Sequence, residues 1–202
     1  MSVLLTVAFV QMLAVVSPGP SFLITARMAV ARSRLDGMKV AAGLAAGTVV
    51  WSSAAVLGLH AMFVQVPWLY LTMKIAGALF LIYIAVQIVR HAKAPLELQV
   101  DGAAGSPFVT GFLTQLTNPK VVVFFGSIFI SILPTDVPLW LSLSLIAMVS
   151  FNELWWYSAV SVFFSLPPVR NAYIKAKTAI DVVVGVFLGG LGLKLIWDAL
   201  AG

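Results

Sequence analysis

Long apolar runs, each ended by a short polar or basic interval, organise the 202-residue chain. A helix that crosses a bilayer needs about 20 mostly apolar residues. Six stretches qualify: 3–26, 40–63, 69–89, 109–133, 139–165 and 179–198. The runs are continuous and too long for barrel strands, which alternate apolar and polar positions over about ten residues. The pattern predicts an all-α integral membrane protein of six transmembrane helices, one transmembrane domain over 1–202. Residues 90–107 carry Pro95, Gly102, Gly105 and Pro107 and read as a cytoplasmic connection between halves 1–89 and 108–202. No Lys or Arg precedes the first run, so it does not read as a cleavable signal.

Composition strengthens this picture. The chain is 61% hydrophobic and 9% charged, against about 25% charged in soluble domains. Mean hydropathy is +1.06. These values exclude a disordered chain and an ordinary soluble enzyme. The net charge of +5 comes from too few basic residues to track phosphates, so no nucleic-acid partner is expected. There is no cysteine to staple, ligate or attack.

Charge then orients the chain. Arg27, Arg32, Arg34 and Lys39 lie between spans 1 and 2, Arg90 and Lys93 between spans 3 and 4, and Arg170, Lys175 and Lys177 between spans 5 and 6. The connections 64–68 and 134–138 and both termini carry none. Basic residues favour cytoplasmic loops. Both termini are therefore expected outside. Trp68, Tyr70 and Trp140 fall at the outer interface, where aromatic residues collect.

Spans 1–3 and 4–6 look like two halves, and three spans per half forces an inverted repeat. Such repeats typify secondary transporters, with sites where discontinuous helices meet near the midplane. Breaks occur in matching places: Ser17-Pro18-Gly19-Pro20 in span 1 and Thr117-Asn118-Pro119-Lys120 in span 4. Gly43 and Gly47 in span 2 correspond in depth to Asn152 and Glu153 in span 5. A proline inside a helix removes one hydrogen bond and displaces the carbonyl four residues back. Pro18 and Pro20 should free the carbonyls of Ala14 and Val16, and Pro119 that of Gln115. Irregular backbone at membrane depth is tolerated only against protein or a watery cavity. Both breaks should face one interior site, although a single proline kink is ordinary in membrane helices.

Glu153 lies near the middle of span 5, where a charge costs about 2.5–3.5 kcal/mol on insertion scales. It is a candidate proton-coupling group; the alternative is a structural acid, ion-paired with Lys120 or Lys74. Lys120 is a candidate carboxylate ligand. Lys74 can bind or snorkel to the surface. Trp156 can line a pocket or pack in the core. Asp181 and Asp198 read as lying at the ends of span 6, with Lys194 and Asp198 as a surface pair. Gly185, Gly189 and Gly192 form a small-residue face suited to helix packing, and glycine faces also admit a second copy of the chain. His60 and His91 are the only histidines, which leaves no metal cluster, and no cofactor motif is present.

The motifs together resemble the lysine exporter (LysE/RhtB) family of bacterial amino-acid exporters, over essentially the whole chain. The resemblance is carried by Ser17-Pro18-Gly19-Pro20, Gly43 with Gly47, Lys74 with Gly77-Ala78, and Asn118-Pro119-Lys120 followed by Phe124-Phe125. It implies efflux of amino acids across the inner membrane, driven by the proton gradient. A zwitterion needs donors for its carboxylate and acceptors for its ammonium. The N-termini of the second half-helices and Lys120 suit the first, and the freed carbonyls with Glu153 suit the second. A non-transporting membrane scaffold subunit is the rival reading. A cation or metal-ion exporter is weakened by the shortage of His, Cys and Asp in the spans.

Overall fold

The computed structural model describes residues 2–17, 19–65, 67–95, 105–118, 120–121, 124–126 and 137–200. The described secondary structure is helical. Seven helices can be delimited: α1 Ser2–Val16, α2 Pro20–Ala31, α3 Arg34–Gln65, α4 Pro67–Arg90, α5 Pro107–Thr117, α6 Leu139–Phe164 and α7 Pro167–Leu200. Residues 120–121 and 124–126 are helical as well. Three helices are each long and apolar enough to cross a membrane: residues 34–58 of α3, α6 and α7. The pair α1 and α2, bent by 56° at the first break, makes up to four. The expected crossing 69–89 lies within α4, and the expected crossing 109–133 runs partly over residues outside the description.

Several boundaries move relative to the apolar pattern. Arg34 and Lys39, expected in a loop, lie in the first turns of α3. Ser33 explains the early start. Its hydroxyl accepts the Asp36 N–H at 3.0 Å and donates to the Asp36 carboxylate at 3.0 Å, an N-cap arrangement. Arg170, Lys175 and Lys177 likewise lie on α7, which opens on Pro167-Pro168, prolines being tolerated in a first turn. At 34 residues, α7 spans about 51 Å at 1.5 Å per residue. It outruns a hydrocarbon core of about 30 Å, so its basic first turns can reach beyond the core.

Packing follows the small residues. α3 meets α5 where Gly43 lies against the Phe108 carbonyl and Gly111 against the Val40 carbonyl. α4 meets α7 where Gly185 lies against Ala85 and Val89, and Gly192 against Ala78 and Ile82. The Gly185 and Gly192 positions of this glycine face are thus occupied within the chain rather than free for a second copy. α6 lies against α3, with Gly37 beside Ser161. One apolar cluster gathers Val7, Val10, Phe124, Phe125, Leu145 and Val149; a second joins Phe22, Leu44, Val160 and Phe164. The polar residues lie between these clusters.

The basic stretches meet at one end of the bundle. Arg34 Nε donates to Ser165 Oγ at 2.6 Å, Tyr173 packs edge-on to Phe164, and Lys177 Nζ donates to the His91 and Ala92 carbonyls at 3.2 and 3.0 Å. The starts of α3 and α7 and the ends of α4 and α6 are therefore neighbours.

Candidate functional site at the two helix breaks

The first break is a true interruption. α1 stops at Val16, Ser17 and Gly19 leave the helix, and α2 starts at Pro20 with Gly19 as an extended N-cap (φ −157°, ψ −173°). Pro20 therefore begins a helix instead of kinking one. It is exposed and does not line the site. The second break follows the same logic. α5 stops at Thr117, and Asn118 turns extended (φ −74°, ψ 109°). Its N–H bends back to the Gln115 carbonyl at 3.4 Å, so that acceptor is partly reclaimed. Asn118 Oδ1 accepts the Lys120 N–H at 3.0 Å, and its carbonyl accepts the Val121 N–H at 3.0 Å. Asn118 thus caps the half-helix that follows, and the Lys120 N–H is not free for a ligand. Pro18 and Pro119 lie outside the described residues, as does the side chain of Lys74.

The two breaks come together. Lys120 Nζ donates to the Ser17 carbonyl at 3.1 Å, and its stem lies against Gly19. Asn118 Nδ2 donates to Ser21 Oγ at 2.9 Å. Ser21 Oγ in turn donates to Gln115 Oε1 at 2.7 Å. Gln115 Nε2 donates to Thr48 Oγ1 at 2.7 Å and to Glu153 Oε1 at 3.2 Å. Tyr157 is hydrogen-bonded to Ser21. Four helices and the second break thus share one buried polar network centred on Gln115, which is fully buried. Beside it, Asn152 Nδ2 donates to Gln11 Oε1 at 3.0 Å, and Gln11 Nε2 donates to the Val149 carbonyl at 2.8 Å. Asn152 supports the wall through Gln11.

A cavity of about 30 Å³ lies at this junction, lined on its polar side by Gln11, Ser17, Asn118, Lys120, Glu153 and Tyr157, with Phe124 and Phe125 on its apolar side. That volume holds one or two waters and no amino acid. Glu153 is buried, and its second oxygen, Oε2, has no hydrogen-bond partner; Ser17 Oγ has none either. Among the described residues no ion pair joins Glu153 to Lys120. Buried polar atoms are almost always satisfied, so orphaned ones facing a cavity call for an explanation.

Of the predicted residues, Ser17, Gly19, Asn118, Lys120 and Glu153 line the cavity, and Gln115 and Asn152 hold its walls. Gly43 and Gly47 belong to the α3–α5 seam, where Gly47 lies against the Gln115 side chain. They position the site without lining it. Trp156 packs against the cluster around Phe22. Lys194 Nζ and Asp198 Oδ2 form the expected exposed pair at 2.5 Å. Gln11, Ser21, Thr48 and Tyr157 escaped the sequence reading. Each is an isolated polar residue within an apolar run, a signal too weak to rank without the neighbouring helix. Asp181, expected at an end of span 6, is buried at 3% exposed and paired with Lys177 at 2.9 Å, on a helix that begins a dozen residues before the apolar run.

Among the described residues no group of acids and histidines could hold a metal ion. No solved structure matches the chain. Named relatives do. It is 34% identical over 206 residues to the threonine efflux protein of Salmonella typhimurium, covering 97% of this chain and 98% of that protein. It is 33% identical over 198 residues to the threonine efflux protein of Escherichia coli strain K12, covering 95% of this chain and 96% of that protein. An uncharacterized membrane protein of Haemophilus influenzae is 24% identical over 204 residues, 98% of this chain and 97% of that protein. The LysE type translocator model matches residues 12–199. That match takes in both helix breaks and the network between them, and the chain belongs to the LysE type translocator family.

Proposed function

We propose that this protein exports a small neutral amino acid, threonine or a close relative of it, from the bacterial cytoplasm by proton antiport. The observation that carries the reading is the meeting of two interrupted helices at one buried cavity that holds a lysine and an acid not paired to each other. The Lys120 ammonium answers a carboxylate. The Ser17 carbonyl and Glu153 answer an ammonium. Phe124 and Phe125 leave an apolar wall for a short side chain. The threonine efflux relatives supply the substrate class.

The cavity is too small for its substrate in this conformation, so loading requires the walls to part. In the six-crossing, inverted-repeat arrangement, α3 and α6 are equivalent elements, as are α4 and α7. Among the described residues these partners pack on each other, which suits two halves that rock about a shared site. Lys120 Nζ gives one of its three donors to the Ser17 carbonyl, which leaves donors for a carboxylate. A substrate held there would touch both breaks at once.

The test is counterflow in proteoliposomes of the purified protein. Liposomes loaded with unlabelled threonine should accumulate labelled threonine without any gradient, and an imposed pH gradient should drive net movement. A protein that performs neither with any of a panel of amino acids, and that co-purifies with membrane partners, would be a scaffold instead.

A further inference from the structure

A second opening lies between α4 and α7, away from the two breaks. It is an apolar groove of about 260 Å³, against about 30 Å³ for the cavity at the breaks. The sequence makes it by what it leaves out. Gly185 brings α7 against the Ala85 carbonyl and the Val89 side chain of α4. One turn further, a Cβ added to Gly189 would have only the Ala85 Cβ near it, at 3.5 Å. Val86 and Val186 line the groove from the two helices and are exposed. Their branched side chains hold few rotamers.

The groove has a closed end and a charged end. It closes at Ile82, whose side chain occupies the place where a Cβ on Gly192 would go. Its other end is lined by Arg90, in the last turn of α4. From Ile82 to Arg90 the helix rises about 12 Å at 1.5 Å per residue. That fits within one leaflet of a hydrocarbon core about 30 Å thick. The apolar run stops at Val89, so Arg90 stands where hydrocarbon gives way to headgroups. Its side chain is exposed and makes no hydrogen bond or ion pair with a described residue. A basic residue in a last turn also suits the helix dipole, but the dipole does not require it to line a groove. Beside it, Lys177 Nζ donates to the His91 and Ala92 carbonyls, and Thr178 Oγ1 donates to the Ala92 carbonyl at 3.1 Å. The end of α4 is thereby tied to α7 next to the charged end of the groove.

We propose that this groove binds one anionic glycerophospholipid, with an acyl chain lying along Ala85 and Gly189 and the phosphate on Arg90. Basic pockets between membrane helices at the cytoplasmic side take anionic headgroups, and a guanidinium matches a phosphate through paired N–H donors. A helix from a second copy fits less well. It would need a face running the depth of the bilayer, about 30 Å, whereas this groove closes at Ile82. It would also bring an apolar surface onto an unpaired guanidinium. A lipid answers both ends of the groove at once and braces α4 against α7. The proposal is independent of the transport reading and needs only a bilayer around the bundle.

Native mass spectrometry of the full chain in a neutral detergent tests it, with dioleoylphosphatidylglycerol or dioleoylphosphatidylcholine added at equal concentration. One phosphatidylglycerol should be retained per chain, at least fivefold over phosphatidylcholine. Arg90→Gln should lower that retention at least fivefold while leaving the lipid-free thermal midpoint in place. Gly189→Leu fills the groove and should lower retention of both lipids. Should Gly189→Leu fail to accumulate, Arg90→Gln decides. Arg170→Gln, in the first turn of α7 and off the groove, should retain phosphatidylglycerol within twofold of the unaltered chain. Unchanged retention in Arg90→Gln overturns the site. Equal losses in Arg90→Gln and Arg170→Gln also overturn it, because they mark diffuse attraction to the basic end. A dimer that persists without lipid and is broken by Gly189→Leu overturns it as well, since the groove then holds a second copy.

Discussion

Gln115 decides how the central residues behave. Its amide accepts from Ser21 and donates to Thr48 and Glu153, so one side chain ties α2, α3 and α6 to α5. Glu153 is thereby held by a neutral donor. An ion pair broken by Glu153→Gln would strand a buried ammonium, at about 3–5 kcal/mol. The observed partner removes that penalty, because a glutamine carbonyl accepts from Gln115 as the acid does. Glu153→Gln should therefore accumulate and insert like the unaltered protein. It should retain threonine exchange and lose pH-gradient-driven transport, measured side by side in one preparation. A variant that is folded and still fully gradient-driven removes Glu153 from the coupling. Gln115 itself was legible only as the residue four before Pro119. Its role depends on three helices that no local pattern brings together.

At the scale of elements, caps and glycine seams set where helices begin and how closely they lie. Ser33 and Asp36 start α3 ahead of the apolar run. The half-buried Asp36 carboxyl is held below the ordinary carboxylate range by its hydrogen bond with Lys39, then by that with Ser33. A depressed folded value means a contribution present at neutral pH, which is lost as pH falls through the ordinary carboxylate range toward the folded value. Ser33→Ala should cost about 1 kcal/mol and speed amide exchange in the first turn of α3. The unaltered chain should show the same acceleration on acidification through that range, and exchange independent of pH there, after correction for intrinsic rates, would refute the cap. The α3–α5 seam is less forgiving. A Cβ on Gly43 meets the Phe108 carbonyl and the Phe112 nitrogen, which are backbone atoms and cannot swing aside. Gly43→Ala should cost about 3 kcal/mol or more and lower the thermal midpoint in detergent. Gly58→Ala, with nothing within 4 Å of the added carbon, should leave the midpoint in place. Equal midpoints for the two variants would contradict the packing described here.

For the whole molecule, the contacts gather the basic stretches at one end, and charge bias predicts that this end faces the cytoplasm. Reporter fusions at both termini and within 96–104 should report outside, outside and cytoplasm. A cytoplasmic terminus would invert the assignment. Hydropathy and charge spacing were enough to show an apolar helical membrane protein, its two proline breaks and a lone acid within a span, because each follows from composition over a local window. They misjudged where α3 and α7 begin, since their first turns are polar helix that hydropathy reads as loop. Gly43 and Gly47 are only possible site residues by sequence, because closeness to a ligand and closeness to a helix leave the same mark there; the structure packs them at the α3–α5 seam. Which polar atoms meet was settled only in three dimensions. The partners of Gln115 and Tyr157 lie on other helices and that of Lys120 at the other break, and burial in a shared low-dielectric interior, not sequence spacing, makes those meetings matter.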